Sequence, residues 1–281
     1  MTAFLEIKFN GGLGNQLFQY AAARNITVEK KILFLLFNLS EYRDESLERK
    51  FSLINYKIKG KVLHNDFGKK LFRPHTKLNN LLNAFFLHEH IKEYGFVLHN
   101  LTGKMRLLAS LNGYWQSDFY FKSIRKQLLY ELQPISHPAL PMWHLNSNTV
   151  AIHVRRTDYM HETRYGFLGL DYYCDAISFF KNKIQEPLFI LFSDDMPWCK
   201  EHFKENNIVY VEDKSWEPDY LQLFLMSTCK HQIIANSSFS WWAAWLNINA
   251  EKIVVRQITP FNDASLLYKS HYPEEWVAIK N

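Results

Sequence analysis

From residue 149 onward, short apolar runs alternate with helix-length segments, and this alternation constrains the fold more than any other feature of the chain. Runs at 149–154, 188–192, 208–211, 232–235 and 252–256 read as strands. The stretches 171–183, 197–205, 219–227 and 240–246 read as helices. Such a series builds a parallel sheet with helices on both faces, because each parallel connection needs a crossover. Continuous apolar runs fit strands buried on both sides. The fold class is therefore α/β. Ligands in such sheets bind beyond the carboxyl ends of the strands, so those ends are where chemistry is to be sought.

The first half is less regular. Residues 4–9 read as a strand, followed by Gly11-Gly12-Leu13-Gly14, a helix over 15–29 and a buried strand over 32–37. Residues 118–130 read as a helix. Pro134, Pro138 and Pro141, set among Ser and Asn with little periodicity, mark a linker. The expected organisation is a domain at 1–135, a linker at 136–148 and a domain at 149–281. Charge changes sign near the linker: 1–140 carries +9 and 141–281 carries −4. With 47% hydrophobic residues, both halves can bury a core, and disorder is excluded as the main state. The aromatic content also suits sugar binding, since an aromatic face packs well on a pyranose.

Cys174, Cys199 and Cys229 are widely spaced and odd in number, which argues against a disulfide framework or zinc site and for a reducing compartment. The start lacks a charged segment leading into an apolar one, so no secretory signal is expected. The longest apolar run, 32–37, is far short of the ~20 residues that span a bilayer. The chain is expected to be soluble or at most peripheral to a membrane.

Four strand ends carry polar constellations. Asn10-Gly11-Gly12-Leu13-Gly14-Asn15-Gln16 brings glycine backbone to a helix start, where N–H groups favour an anion. It is neither a dinucleotide fingerprint nor a P-loop, and the alternative is a plain tight turn. His153-Val154-Arg155-Arg156-Thr157-Asp158 places two arginines at a buried strand end, where they need anionic partners. Guanidinium forks suit phosphate, and the alternative for Arg156 is an internal pair with Asp158. Ser193-Asp194-Asp195 offers carboxylates to a base's N–H groups, or a cap to the next helix. Asn236-Ser237-Ser238-Phe239-Ser240 offers a hydroxyl-rich phosphate cradle, or capping by Ser238 or Ser240, with Trp241 and Trp242 as core. Together these describe a site for a nucleoside diphosphate. No D-x-D triplet accompanies them.

Three longer motifs, Gly11 to Tyr20, His153 to Tyr159 and Ile234 to Ala244, together with Gly113-Tyr114-Trp115-Gln116-Ser117 and Phe192-Ser193-Asp194-Asp195, resemble those of the bacterial α-1,2-fucosyltransferases. Thr157 stands where the pattern usually has Gly, and Leu17 where Met is common. The resemblance implies a GT-B fold, with two Rossmann-like domains facing a central cleft and the C-terminal one holding GDP-fucose. It implies inverting transfer of L-fucose to O2 of a terminal galactose, with GDP-fucose as co-substrate and no cofactor or required metal. Arg155 would hold the diphosphate. His153 and Asp194 or Asp195 would lie near the guanosine, Asn15 near the fucose–phosphate, and Ser237 and Ser238 in the phosphate segment. Donor-binding residues are then Gly12, Gly14, Asn15, His153, Arg155, Arg156, Ser193, Asp194, Asp195, Asn236, Ser237, Ser238, Phe239 and Ser240. Arg155 and Asn15 are also catalytic candidates.

Asp158, His161 and Glu162 are candidates for the general base, although Asp158 could instead orient Arg156 and the leaving phosphate could take the proton. Tyr114, Trp115, Gln116 and His161 are the acceptor-side candidates. The implied partners are GDP-fucose and a galactose-terminated glycan, free or lipid-linked. The implied location is cytoplasmic, or peripheral at the inner face of the membrane. Competing readings are another nucleotide-sugar donor and a non-catalytic sugar-binding module. A nucleic-acid binder has only the basic stretch 57–77 in its favour and no recognised motif.

Overall fold

The computed structural model describes residues 4–39, 50–63, 77, 80–81, 88–93, 108–145, 148–157, 168–259 and 272–280. Asp158, His161, Glu162 and the basic residues Lys69, Lys70 and Arg73 lie outside the described residues. The chain divides into two compact units, Met1–Gln133 and Pro134–Asn281, so the proline-rich segment belongs to the second. No helix among the described residues is long and apolar enough to cross a membrane. The three cysteines are free.

The first unit is built on a five-stranded parallel sheet in the order β3-β2-β1-β5-β4. Its strands are β1 Phe4–Lys8, β2 Phe34–Asn38, β3 Lys61–Val62, β4 His88–Lys92 and β5 Leu108–Asn112. Strand alternation sends Leu5 and Ile7 into the core on one face and Glu6 to the other. Glu6 is itself buried, and its carboxylate accepts from Asn38 Nδ2 at 2.7 Å and from Ser110 Oγ at 2.8 Å. That tie crosses three strands, and burial raises the Glu6 carboxyl above its ordinary value.

Helix α1, Leu13–Glu29, is buried along most of its length. Residues 118–130 do not form one helix. Two 3-10 turns, Asp118–Tyr120 and Lys122–Ile124, precede α2, Arg125–Glu131. The reason is local: Ser117 caps the first turn, and Phe121, at φ −152°, breaks the helical path.

A buried polar network pins α2 to α1. Glu131 accepts from Tyr20 Oη at 2.5 Å and from Arg24 Nε and Nη2 at 2.9–3.0 Å. The Tyr20 hydroxyl also accepts from Lys59 N at 3.0 Å.

The second unit is a six-stranded parallel sheet in the order β11-β10-β9-β6-β7-β8. Its strands are β6 Thr149–Val154, β7 Leu188–Ser193, β8 Ile208–Tyr210, β9 His231–Ile233, β10 Val254–Gln257 and β11 Val277–Ile279. Helices α3 Leu170–Lys183, α4 Met196–His202, α5 Asp219–Thr228 and α6 Ser238–Leu246 fall between the strands, as the apolar pattern requires. All six residues of β6 are buried. Helix α3 packs Tyr172, Tyr173, Ala176, Ile177 and Phe180 against the sheet and places Lys181 and Lys183 in its last turn, where they complement the helix dipole. Trp241 and Trp242 are core, in ring contact with each other and with Trp245.

Removing one member of a buried ion pair leaves the other charge uncompensated, at a cost of about 3–5 kcal/mol. Glu131→Ala is therefore expected to lower the urea unfolding free energy of the first unit by about 3 kcal/mol, with Glu131→Gln losing less.

Candidate active site

In the second sheet the chain runs from β6 outward through β7 to β8, then returns to β9 and runs the other way. The strand order reverses between β6 and β9. Their carboxyl ends flank the crevice where doubly wound sheets take ligands.

Strands β6 and β7 are paired with Val154 opposite Ser193, so the loops that follow them leave side by side. The Asp194 carboxylate organises both. Its Oδ1 accepts from Arg156 N at 2.9 Å. Its Oδ2 accepts from Thr157 Oγ1 at 2.5 Å and Thr157 N at 3.3 Å, and pairs with Arg155 Nη1 at 3.2 Å. Asp194 is thus a clamp on the arginine loop.

Asp195 is the helix cap: Oδ1 accepts from Trp198 N at 3.3 Å. Its Oδ2 accepts from Arg156 Nε at 3.0 Å. The Arg156 guanidinium also lies 3.7 Å from the centre of the Trp198 ring. Arg156 is therefore buried against α4 and partnered by Asp195, while the Arg155 side chain keeps 31% of its surface exposed. Ser193 Oγ accepts from Asp195 N at 2.9 Å and so shapes this turn.

After β9, Ser237 caps α6, its Oγ accepting from Phe239 N at 3.3 Å. The cap is neither Ser238 nor Ser240. Ser240 is wholly buried, and its hydroxyl donates to the carbonyls of Ala235 and Ser237. It supports the turn from below, which corrects its expected place among the donor contacts. Asn236 is buried; Ser238 and Phe239 are partly exposed. Tyr172 Oη donates to Ile234 O at 2.8 Å and fixes the start of this segment from α3.

His153 sits between these loops, with its ring 5.5 Å from that of Phe239. Its Nδ1 is buried and has no partner among the described residues. Burial, reinforced by Arg155 and offset by Asp194, pushes the imidazole down to about 3. His153 is neutral at physiological pH and offers a ligand a hydrogen bond without charge.

The first sheet reverses its order between β1 and β5, and the glycine-rich loop and residues 113–116 follow those two strands. Gly11 has φ +75°, and a Cβ there would lie 2.5 Å from Asn15 Nδ2. Gly12 begins α1 without a side-chain cap, and no atom would meet a Cβ placed on it within 4 Å. Its backbone is open to close approach. Gly14 is buried in the first turn of α1.

Two wholly buried glutamines hold the loop. Gln16 Nε2 donates to Gly11 O and Lys50 O, and its Oε1 accepts from Ser52 N. Gln19 Nε2 donates to Asn10 Oδ1 and Gly113 O. Asn15 Oδ1 accepts from Gln116 Nε2 at 2.8 Å, joining the loop to the turn after β5. Sequence reasoning assigned no role to the glutamines. The available signal was two amides on the otherwise apolar stretch of α1.

In that turn Tyr114 is exposed, but Trp115 is wholly buried and packs edge-on to Tyr120 at 5.2 Å. Trp115 is a core residue, which corrects its expected contact with an acceptor. It also has φ +57°, a strained conformation costing of order 1–3 kcal/mol.

The family model for Glycosyl transferase family 11 matches residues 3–280. The chain belongs to this family. It is 30% identical to the alpha-1,2-colitosyltransferase of Escherichia coli, over 96% of this chain and 97% of that protein. It is 34% identical to the O-antigen biosynthesis glycosyltransferase WbnK of Escherichia coli, over 88% and 91%. Among solved structures it is similar to NodZ alpha-1,6-fucosyltransferase soaked with GDP-fucose, with a TM-score of 0.50 at 14% identity over 96% of this chain and 98% of that one. That likeness concerns the fold, and the two parallel-sheet α/β units place the glycosyltransferase in the GT-B class. Among the described residues no group of three His, Cys, Asp or Glu side chains is arranged to hold a metal ion.

The depressed His153 value has a pH consequence. The unfolded chain takes up this proton near the ordinary value of 6.5, whereas the folded chain does so only near 3. The contribution is complete above the unfolded value and is lost as pH falls from 6.5 toward 3. His153→Gln should therefore flatten the dependence of unfolding free energy on pH between 4 and 5.5 by about 1.4 kcal/mol per pH unit.

Proposed function

We propose that this glycosyltransferase moves L-fucose from GDP-fucose to O2 of a terminal galactose with inversion at the anomeric carbon. The observation that supports the reading best is the convergence at the β6/β9 crevice of a clamped Arg155, a neutral His153 whose Nδ1 has no partner among the described residues, and the capped start of α6. An arginine fork and a helix N-terminus suit a diphosphate. A buried neutral imidazole suits the guanosine. Gly12, Gly14 and Asn15 of the first unit are assigned to the sugar–phosphate, and Tyr114 and Gln116 to the acceptor.

In the reaction the fucose C1–O bond to phosphate breaks, and C1 bonds to the galactose O2 from the opposite face. The departing GDP gains negative charge. Arg155 and the N–H groups at the start of α6 stabilise it, and a preorganised donor of this kind is worth about 3 kcal/mol. The acceptor proton passes to a base among Asp158, His161 and Glu162, or to the leaving phosphate.

The proposal requires no metal, and transfer should persist after dialysis against EDTA. Membrane contact, if the acceptor is lipid-linked, is peripheral in this reading.

A second reading replaces fucose by colitose, which lacks the 3-hydroxyl, and is favoured by the likeness to the colitosyltransferase. A site that hydrogen-bonds a hydroxyl rejects the analogue lacking it strongly, by as much as 10⁴–10⁵. Incubation with each nucleotide sugar and a panel of galactosides, with product linkage read by NMR, separates the two. The proposal predicts an α-1,2-fucosyl product from GDP-fucose; turnover of the colitose donor alone would replace it.

Arg155→Ala is expected to lower kcat by at least about 10². Arg155→Lys should recover little, because the fork is lost. Near-normal turnover by Arg155→Ala at saturating donor would contradict the assignment.

A further inference from the structure

The turn after β5 keeps two unfavourable features that a plain chain reversal does not need. Trp115 is held at φ +57°, and its indole Nε1 is buried without a partner among the described residues. Strain of this kind persists only where the surroundings enforce it, and it gathers at functional sites. What enforces it here is Glu93, the residue that follows β4. One carboxylate oxygen, Glu93 Oε2, accepts from Tyr114 N at 2.6 Å and from Trp115 N at 3.0 Å. Successive backbone N–H groups converge on one anion only when the chain takes an unusual turn, and the positive φ of Trp115 belongs to such a turn.

Glycine is required beside this contact. A Cβ on Gly113 would lie 2.4 Å from Glu93 Cβ and 2.8 Å from Oε2. Glu93 is anchored in turn, its N donating to Asn112 O at 3.0 Å.

The result is a specific presentation. The Trp115 ring goes into the core, Tyr114 is left exposed, and Gln116 reaches Asn15 of the glycine-rich loop across the β1/β5 crevice. An exposed tyrosine ring beside an amide is suited to a pyranose, packing on its C–H face while the amide meets its hydroxyls.

We propose that Glu93 is a positioning residue for the acceptor sugar: its carboxylate holds the Gly113–Gln116 turn in the conformation that presents Tyr114 and Gln116 at the β1/β5 crevice. This rests on the glycosyltransferase reading above. Glu93 takes no part in bond making. Its effect falls on acceptor affinity and leaves the donor site of the second unit unchanged.

The test measures acceptor KM at saturating GDP-fucose and GDP affinity by calorimetry for the wild type, Glu93→Ala, Glu93→Gln, Tyr114→Ala and the double variant Glu93→Ala/Tyr114→Ala. Glu93→Ala should raise acceptor KM about tenfold, the equivalent of one charged hydrogen bond, while GDP affinity stays within about twofold. Glu93→Gln should recover most of the loss, because its amide oxygen also accepts from both N–H groups. Tyr114→Ala should raise KM, and the double variant should be little worse than the poorer single one, as coupled residues require.

An unchanged acceptor KM in Glu93→Ala, a parallel fall in GDP affinity, or fully additive effects would overturn the proposal. Should Glu93→Ala fail to fold, Glu93→Asp withdraws the carboxylate by one carbon and is judged by the same outcomes. GDP binding without transfer to any galactoside by the wild type would overturn the reading beneath the proposal, and the proposal with it.

Discussion

The loops at the end of β6 and β7 depend on one carboxylate. Asp194 leaves the end of β7 and gathers the backbone N–H of Arg156, both donors of Thr157 and the guanidinium of Arg155. Such a contact exists only because β6 and β7 are adjacent, parallel and in register at Val154 and Ser193. With the loop fixed, Arg156 turns inward to Asp195 and the Trp198 ring, and Arg155 remains at the crevice. Two neighbouring arginines thereby acquire different tasks. One is absorbed into the scaffold, and the other keeps part of its surface exposed.

The first unit reaches a comparable end by other means. Among the described residues, side-chain amides hold the glycine-rich loop. Gln16 and Gln19 tie the glycine-rich loop to segments distant in sequence, and Gln116 joins Asn15 across the sheet reversal. Buried amides satisfy several backbone groups each without the desolvation cost of a buried charge. This suits a loop whose backbone must stay open at Gly12. Net charge explains neither crevice. The half proposed to hold the doubly anionic donor carries −4, so in that proposal binding rests on placed hydrogen-bond donors and not on overall charge.

The second unit was legible in the sequence because its central strands are buried on both faces and read as apolar runs separated by helix-length segments. The alternation predicts β6 to β10 with only small shifts at their ends. Strand β11, three residues long and half-exposed, gives no such signal. In the first unit β3, β4 and β5 were not anticipated. Strand β3 has two residues, β4 reads His-Glu-His-Ile-Lys, and β5 breaks its apolar run at Ser110. Their strand character comes from pairing with neighbours.

At the site the strand ends pointed to the correct loops, but not to how their side chains divide the work. Ser237 rather than Ser238 or Ser240 caps α6, and Asp195 accepts from Arg156 Nε. Both choices depend on loop geometry. Trp115 stands beside Tyr114 and Gln116 in the motif from which the acceptor candidates were taken. Only the turn held by Glu93 reveals that its ring goes inward while Tyr114 stays out.

The central claim is that the Asp194-clamped loop delivers Arg155 to the donor diphosphate. A crystal structure of the GDP complex tests it most directly. The account predicts diphosphate oxygens within hydrogen-bonding distance of the Arg155 guanidinium and the first turn of α6, with the bonds from Arg156 N and Thr157 to Asp194 intact. A diphosphate bound elsewhere, out of reach of the Arg155 guanidinium, would contradict it.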